Sequence, residues 1–180
     1  MSDGTCIKEL GRFIEKSVTP FHTVSTIKKY LETNEFSELK MKDKFNIIPG
    51  KSYFINIYDS SLMAFTIGEN IEKSNVKMKL RCTASHTDFP CFKIKPNYLL
   101  TEKTEDNVGY IKINTEVYGG AILNTWLDRP LSIAGKVVIK GKDWLDNESL
   151  QIDVKKAVLT IPNLAIHMNR DVNKGTELNK

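Results

Sequence analysis

The chain has 180 residues, of which 41% are hydrophobic and 27% charged. That composition excludes an intrinsically disordered chain and suits one good domain or two small ones. Its 26 Lys and Arg against 22 Asp and Glu leave a net charge of +4 spread along the sequence, too weak to argue for a nucleic-acid partner.

No apolar run approaches the ~20 residues that a membrane-spanning helix needs. The start, Met1-Ser2-Asp3-Gly4, lacks the basic-then-apolar pattern of a secretion signal. Cys6, Cys82 and Cys91 are an odd set without a Cys-x-x-Cys pair, which argues against a disulfide framework or cysteine zinc knot. A reducing cytoplasm is the expected setting.

The first elements read as helical. Between Cys6 and Ser17, residues Ile7, Leu10, Phe13 and Ile14 recur at steps of three and four, one face of a helix. Val18-Thr19-Pro20 ends it, and Thr19 is placed to cap a second helix with Pro20 at its first position. That helix carries Phe21, Val24, Ile27 and Leu31 on one side and ends near Asn34. Two helices joined so closely are expected to pack as a pair.

From Ser52 the period shortens. Tyr53 to Tyr58 and Leu62 to Ile67 read as strands flanking an Asp59-Ser60-Ser61 turn, a predicted hairpin. After a polar loop over Lys73–Lys77, Met78 to Ala84 reads as a third, buried strand that runs into Ser85-His86-Thr87-Asp88. Beyond Pro90 short strands are predicted over Cys91–Lys95, Tyr110–Val117, Leu131–Ile139, Leu150–Val154 and Ala157–Ile161, punctuated by glycines and Pro162. The change in pattern sets a boundary near residues 88–95.

The three histidines can each be weighed. His86 stands at the C-terminal end of the predicted buried strand, the edge where open α/β sheets bind ligands. In His86-Thr87-Asp88 the imidazole suits a divalent metal, with the carboxylate orienting it from behind. The plainer alternative is a core histidine beside a helix-capping Asp. His167 follows an apolar stretch and leads into a polar segment, where a strand-end histidine with a satisfied hydrogen bond is the plain reading. His22 reads as structural, in a cap or an inter-helix hydrogen bond.

Tyr118-Gly119-Gly120 and Trp126-Leu127-Asp128-Arg129 suit either a pocket rim or subunit contact, or a tight turn with a surface ion pair. The glycines match no phosphate-binding loop, no serine sits in a Gly-x-Ser-x-Gly elbow, and Cys91 reads as an inert buried thiol.

Five stretches together resemble the M18 metallo-aminopeptidases, the aspartyl aminopeptidase and aminopeptidase I group. They are Thr19-Pro20-Phe21-His22, Ala84-Ser85-His86-Thr87-Asp88-Phe89-Pro90-Cys91, Glu116-Val117-Tyr118-Gly119-Gly120, Thr125-Trp126-Leu127-Asp128-Arg129 and Ile161-Pro162-Asn163-Leu164-Ala165-Ile166-His167. They follow the family's order and span most of the chain. Phe89 departs from the pattern, standing where the family often has a small polar residue, and so bears on the pocket entrance.

The resemblance implies an α/β fold: the N-terminal part of a zinc-peptidase catalytic domain over residues 1–90, then part of an inserted β-rich oligomerisation domain over 91–180. It implies two Zn2+ ions per active site, with Co2+ or Mn2+ as substitutes, and peptide substrates that lose one N-terminal residue, acidic in the aspartyl branch. His86 matches the first metal ligand and Asp88 the acid that orients it. His167 matches an active-site histidine of the insert, a metal ligand in some accounts and in others, which we favour, a substrate contact from a neighbouring subunit. Large homo-oligomers, commonly dodecamers, are implied as well.

The family completes its metal site with a bridging Asp, an adjacent Glu-Glu pair, another Asp and a late His. No Glu-Glu pair occurs in these 180 residues. The chain is therefore expected to be the N-terminal part of a longer enzyme and inactive by itself. The alternatives are a non-catalytic assembly module, with Gly119, Gly120 and Trp126 at its interface, or a peptide-binding protein without turnover.

Overall fold

The computed structural model describes residues 3–71, 79–100, 111–143, 147–172 and 174. It divides into two units: Met1–Phe89 with Ala134–Asp153, and Pro90–Ile133 with Val154–Lys180. The 134–153 hairpin thus groups with the first unit although it follows the second in sequence.

In the first unit, α1 (Asp3–Lys16) and α2 (Pro20–Thr33) follow one another with a three-residue break. Thr19 caps α2 as its spacing predicts, with extended backbone and a side chain that accepts the N–H of His22. Asn34 closes the other end, its N–H reaching the carbonyls of the last turn and its side-chain amide donating to Tyr30 O.

The helices touch as expected, but the apolar face of α1 stays mostly open. Of the predicted α1 face only Phe13 is half-buried, while Ile7, Leu10 and Ile14 remain 57–70% exposed. Instead α2 turns its Val24 and Leu31 onto strands, because a sheet offers a wider apolar face than a neighbouring helix.

Those strands are β1 (Ser37–Glu38), β2 (Ser52–Ile57) and β3 (Ser61–Thr66) in the order β1-β2-β3. The predicted hairpin is β2 against β3, antiparallel, with Tyr53 opposite Phe65 and Ile57 opposite Ser61. The short parallel strand β1 carries no periodicity a two-residue element could show.

Alternation explains why two successive β2 residues are both buried. Phe54, wholly buried, lies beneath Lys28 of α2, whose Nζ is 5.9 Å from the ring centre. Tyr53 points the other way, 5.8 Å from Phe65, and its hydroxyl accepts the N–H of Ile48. Val24, Leu31, Tyr53 and Phe54 form the buried apolar core.

The hairpin of β6 (Ala134–Ile139) and β7 (Glu148–Asp153) completes this unit. Gln151 donates to the carbonyl of Phe21, and Lys136 Nζ sits 4.6 Å above the Phe21 ring.

The predicted strand over Met78–Ala84 is corrected. Met78 and the predicted 73–77 loop lie outside the described residues, and 79–84 form no strand. Leu80 is 84% exposed, and Cys82 and Ala84 are exposed as well. Alternating side chains suit a sheet, but a strand forms only where a neighbour pairs its N–H and C=O groups.

The second unit is built on β4 (Cys91–Leu100) and β5 (Lys112–Tyr118), an antiparallel ribbon. β4 runs further than expected, with a break in register between Ile94 and Leu99. Pro96, which has no N–H to give, falls in that break. Asn114 spans it by donating to Asn97 O.

A single 3-10 turn, Leu123–Trp126, packs Trp126 edge-on against Phe92 with 5.2 Å between ring centres. The strands expected at Leu131 and over Ala157–Ile161 reduce to single bridges, Leu131 with Leu159 and Leu127 with Ile161.

Candidate metal centre

His86 and Asp88 are brought together. His86 Nδ1 lies 3.0 Å from Asp88 Oδ1. A carboxylate can only accept, so Nδ1 is the donor, which in a neutral ring leaves the lone pair on Nε2. The ring is 91% exposed, whereas Asp88 is 28% exposed. The acid is thus held against the protein and the ring is held out from it. This corrects the expectation of a histidine at the end of a buried strand, and equally the plainer alternative of a core histidine.

The loop carrying the pair is fixed from below. Thr87 Oγ1 donates to Ser60 O at 2.9 Å, at the turn between β2 and β3. That turn has Tyr58 and Asp59 at positive φ, 52° and 59°. It is closed by Asn56 Nδ2 donating to Asp59 Oδ1 at 2.7 Å and by Asp59 N–H donating to Asn56 Oδ1 at 3.1 Å. A shallow, open groove of about 480 Å³ runs between Ser61 and residues 84–88. Sequence reading missed Thr87, Ser60 and the Asn56–Asp59 pair. Only the Asn-x-x-Asp spacing across a predicted turn pointed toward them.

One imidazole backed by a carboxylate fits the first ligand of a zinc site. It is not a whole site, because among the described residues no three His, Cys, Asp or Glu side chains stand together to hold a metal.

His167 belongs to the second unit, exposed in a turn over residues 166–168. Here too, motifs meet. Asp128, at φ 56°, donates its N–H to Ile161 O and accepts the N–H of Asn163 on Oδ1, both at 2.9 Å. This ties the Trp126-Leu127-Asp128-Arg129 stretch to the one ending at His167. Arg129 donates to Thr125 O, so both charges of the expected ion pair have backbone partners. Gly119 takes φ 74°, and a side chain there would meet Pro90 at 3.4 Å. His22 is structural, its Nδ1 2.7 Å from Thr19 Oγ1. Cys6, Cys82 and Cys91 form no disulfide, and Cys91 is half-buried.

Comparison with known proteins identifies the family. The family profile described as aminopeptidase I zinc metalloprotease (M18) matches residues 13–180. A probable M18 family aminopeptidase 2 of Clostridium novyi is 49% identical over 173 residues, covering 96% of this chain. Aspartyl aminopeptidase 4 of Saccharomyces cerevisiae is 36% identical over 186 residues, covering all of the chain.

Among solved structures, a chain in the cryo-EM structure of the Ape4 and Nbr1 complex superposes with a TM-score of 0.82 at 31% identity, over 98% of this chain and 32% of that one. The Saccharomyces cerevisiae mApe1 dodecamer gives a TM-score of 0.71 at 26% identity, over 94% of this chain and 44% of that one. The chain spans 38% of the length of the Clostridium relative and 36% of the yeast aspartyl aminopeptidase. With five sequence motifs in order, a shared backbone and a family profile over residues 13–180, the chain belongs to the M18 family of zinc metallo-aminopeptidases.

Proposed function

We propose that this chain is the N-terminal part of an aminopeptidase that removes single residues, Asp or Glu by preference, from the N-termini of peptides. The observation that carries the site assignment is the His86–Asp88 pair: an exposed ring with its Nδ1 bound to a carboxylate at 3.0 Å. His86 would give Nε2 to one of two zinc ions, and Asp88 would fix the tautomer and the direction of the lone pair. Bound zinc supplies polarisation of the scissile carbonyl and acidification of a water. The acidic preference is supported by the name of the yeast aspartyl relative.

The remaining ligands and the carboxylate base are assigned to sequence beyond these residues. This is supported by the chain's 38% share of its relative's length and by the missing Glu-Glu pair. Residues 91–180 are read as the start of an inserted assembly domain whose 134–153 hairpin packs back on the first unit, and His167 as the residue it lends to a neighbouring subunit's substrate. A homo-oligomer is supported by the dodecameric neighbour. A cytoplasmic setting is supported by three cysteines that form no disulfide.

The test compares a protein of the relatives' full length with the purified 180-residue chain. The long form should release Asp or Glu from a peptide in a zinc-dependent manner, and the short chain should not. Zinc-dependent release by the short chain would overturn the assignment of the missing ligands. In the long form His86→Ala should lose zinc and activity while keeping its assembly state. Unchanged zinc and activity in that variant would overturn His86 as a ligand, and a parent long form with neither zinc nor activity to lose would leave only the assembly role.

A further inference from the structure

The pair that faces the groove is not held by a sheet ladder, since residues 79–90 belong to no strand. One of its anchors is the residue between its members. Thr87 is half-buried, and its hydroxyl donates to Ser60 O, 27 positions earlier in the chain.

The acceptor is itself fixed. Ser60 N–H donates to Ile57 O at 3.2 Å, and the Asn56–Asp59 pair closes the same turn. Lys136 of β6 reaches Asp59 Oδ2 at 3.8 Å while its Nζ lies over Phe21. The turn between β2 and β3 is therefore braced from its own strand and from a hairpin far along the chain. It makes a pedestal under the exposed ring.

We propose that Thr87 is a positioning residue for the metal ligand His86. Its hydroxyl, bound to Ser60 O, fixes the loop so that the His86–Asp88 pair keeps its geometry as the metal arrives. Without that bond, an exposed ring on a loop that joins no strand loses one anchor of its orientation, and each metal-binding event must order more of it. The inference rests on the reading of His86 as a zinc ligand.

Four variants of the full-length protein separate the two ideas: Thr87→Val, Thr87→Ala, Thr87→Ser and His86→Ala. The readout is zinc affinity by competition with a chromophoric chelator, beside a thermal melt of each apo-protein. Removing the hydroxyl in Thr87→Val or Thr87→Ala should weaken zinc binding by roughly tenfold, while Thr87→Ser should stay within about twofold of the parent. Thr87→Ala carries the same expectation if the branched Val disturbs folding. Parental affinity in the Ala variant, or a Ser variant as weak as the Val one, would overturn the positioning role. Parental affinity in His86→Ala would instead overturn the metal-ligand reading on which it rests.

Discussion

Thr19 Oγ1 accepts the backbone N–H of His22 at 3.3 Å and lies 2.7 Å from Nδ1 of the same residue. One hydroxyl therefore satisfies an orphan donor of the α2 N-terminus and anchors the ring three residues on. Thr19 O also accepts from both the N–H and the hydroxyl of Thr23, which is buried. Thr19→Ala should lower stability by about 1 kcal/mol in urea denaturation, and Thr19→Ser should recover most of it.

Gly119 and Gly120 are adjacent but not equivalent. Gly119 sits at φ 74°, in the left-handed region, while a side chain at Gly120 would meet nothing within 4 Å. Gly119→Ala should cost about 1–2 kcal/mol through backbone strain, whereas Gly120→Ala should be close to neutral. Paired denaturation curves check the contrast.

Phe54 is wholly buried and Leu80 is 84% exposed, although both are large apolar residues in strand-like patterns. Phe54→Ala should cost about 3–5 kcal/mol in this 180-residue chain. Leu80→Ala should stay within about 0.5 kcal/mol of the parent. Equal losses in the two would contradict the placement of the core on β2.

His86 separates metal binding from stability, because its ring is 91% exposed. In the full-length protein His86→Ala should abolish binding of one zinc equivalent, measured as bound metal per chain. In the 180-residue chain the same change should move the unfolding free energy by no more than about 0.5 kcal/mol. Asp88→Asn keeps the shape but can turn an amide donor toward Nδ1. It should weaken zinc affinity in the full-length protein by about 10–100-fold.

Local rules made much of this chain legible. Thr19-Pro20 announced a helix start, because an N-cap oxygen and a proline without N–H both suit four unpaired donors. The β2–β3 hairpin showed in its alternation, and the family in five short stretches. His86 and Asp88 were legible as a pair since two residues along a loop can reach each other with no help from the rest of the fold.

What sequence could not supply was anything that depends on a partner distant in the chain. Whether Ile7, Leu10 and Ile14 are covered, or residues 79–84 join a sheet, depends on which surfaces remain for them, and α2 had already taken the sheet face. The anchoring of Thr87 on Ser60, the reach of Lys136 to Asp59 and the tie from Asp128 to Asn163 are hydrogen bonds and charge contacts across 27 to 77 positions. Periodicity and propensity describe neighbours along the chain; these contacts exist only once tertiary packing has brought their ends within reach.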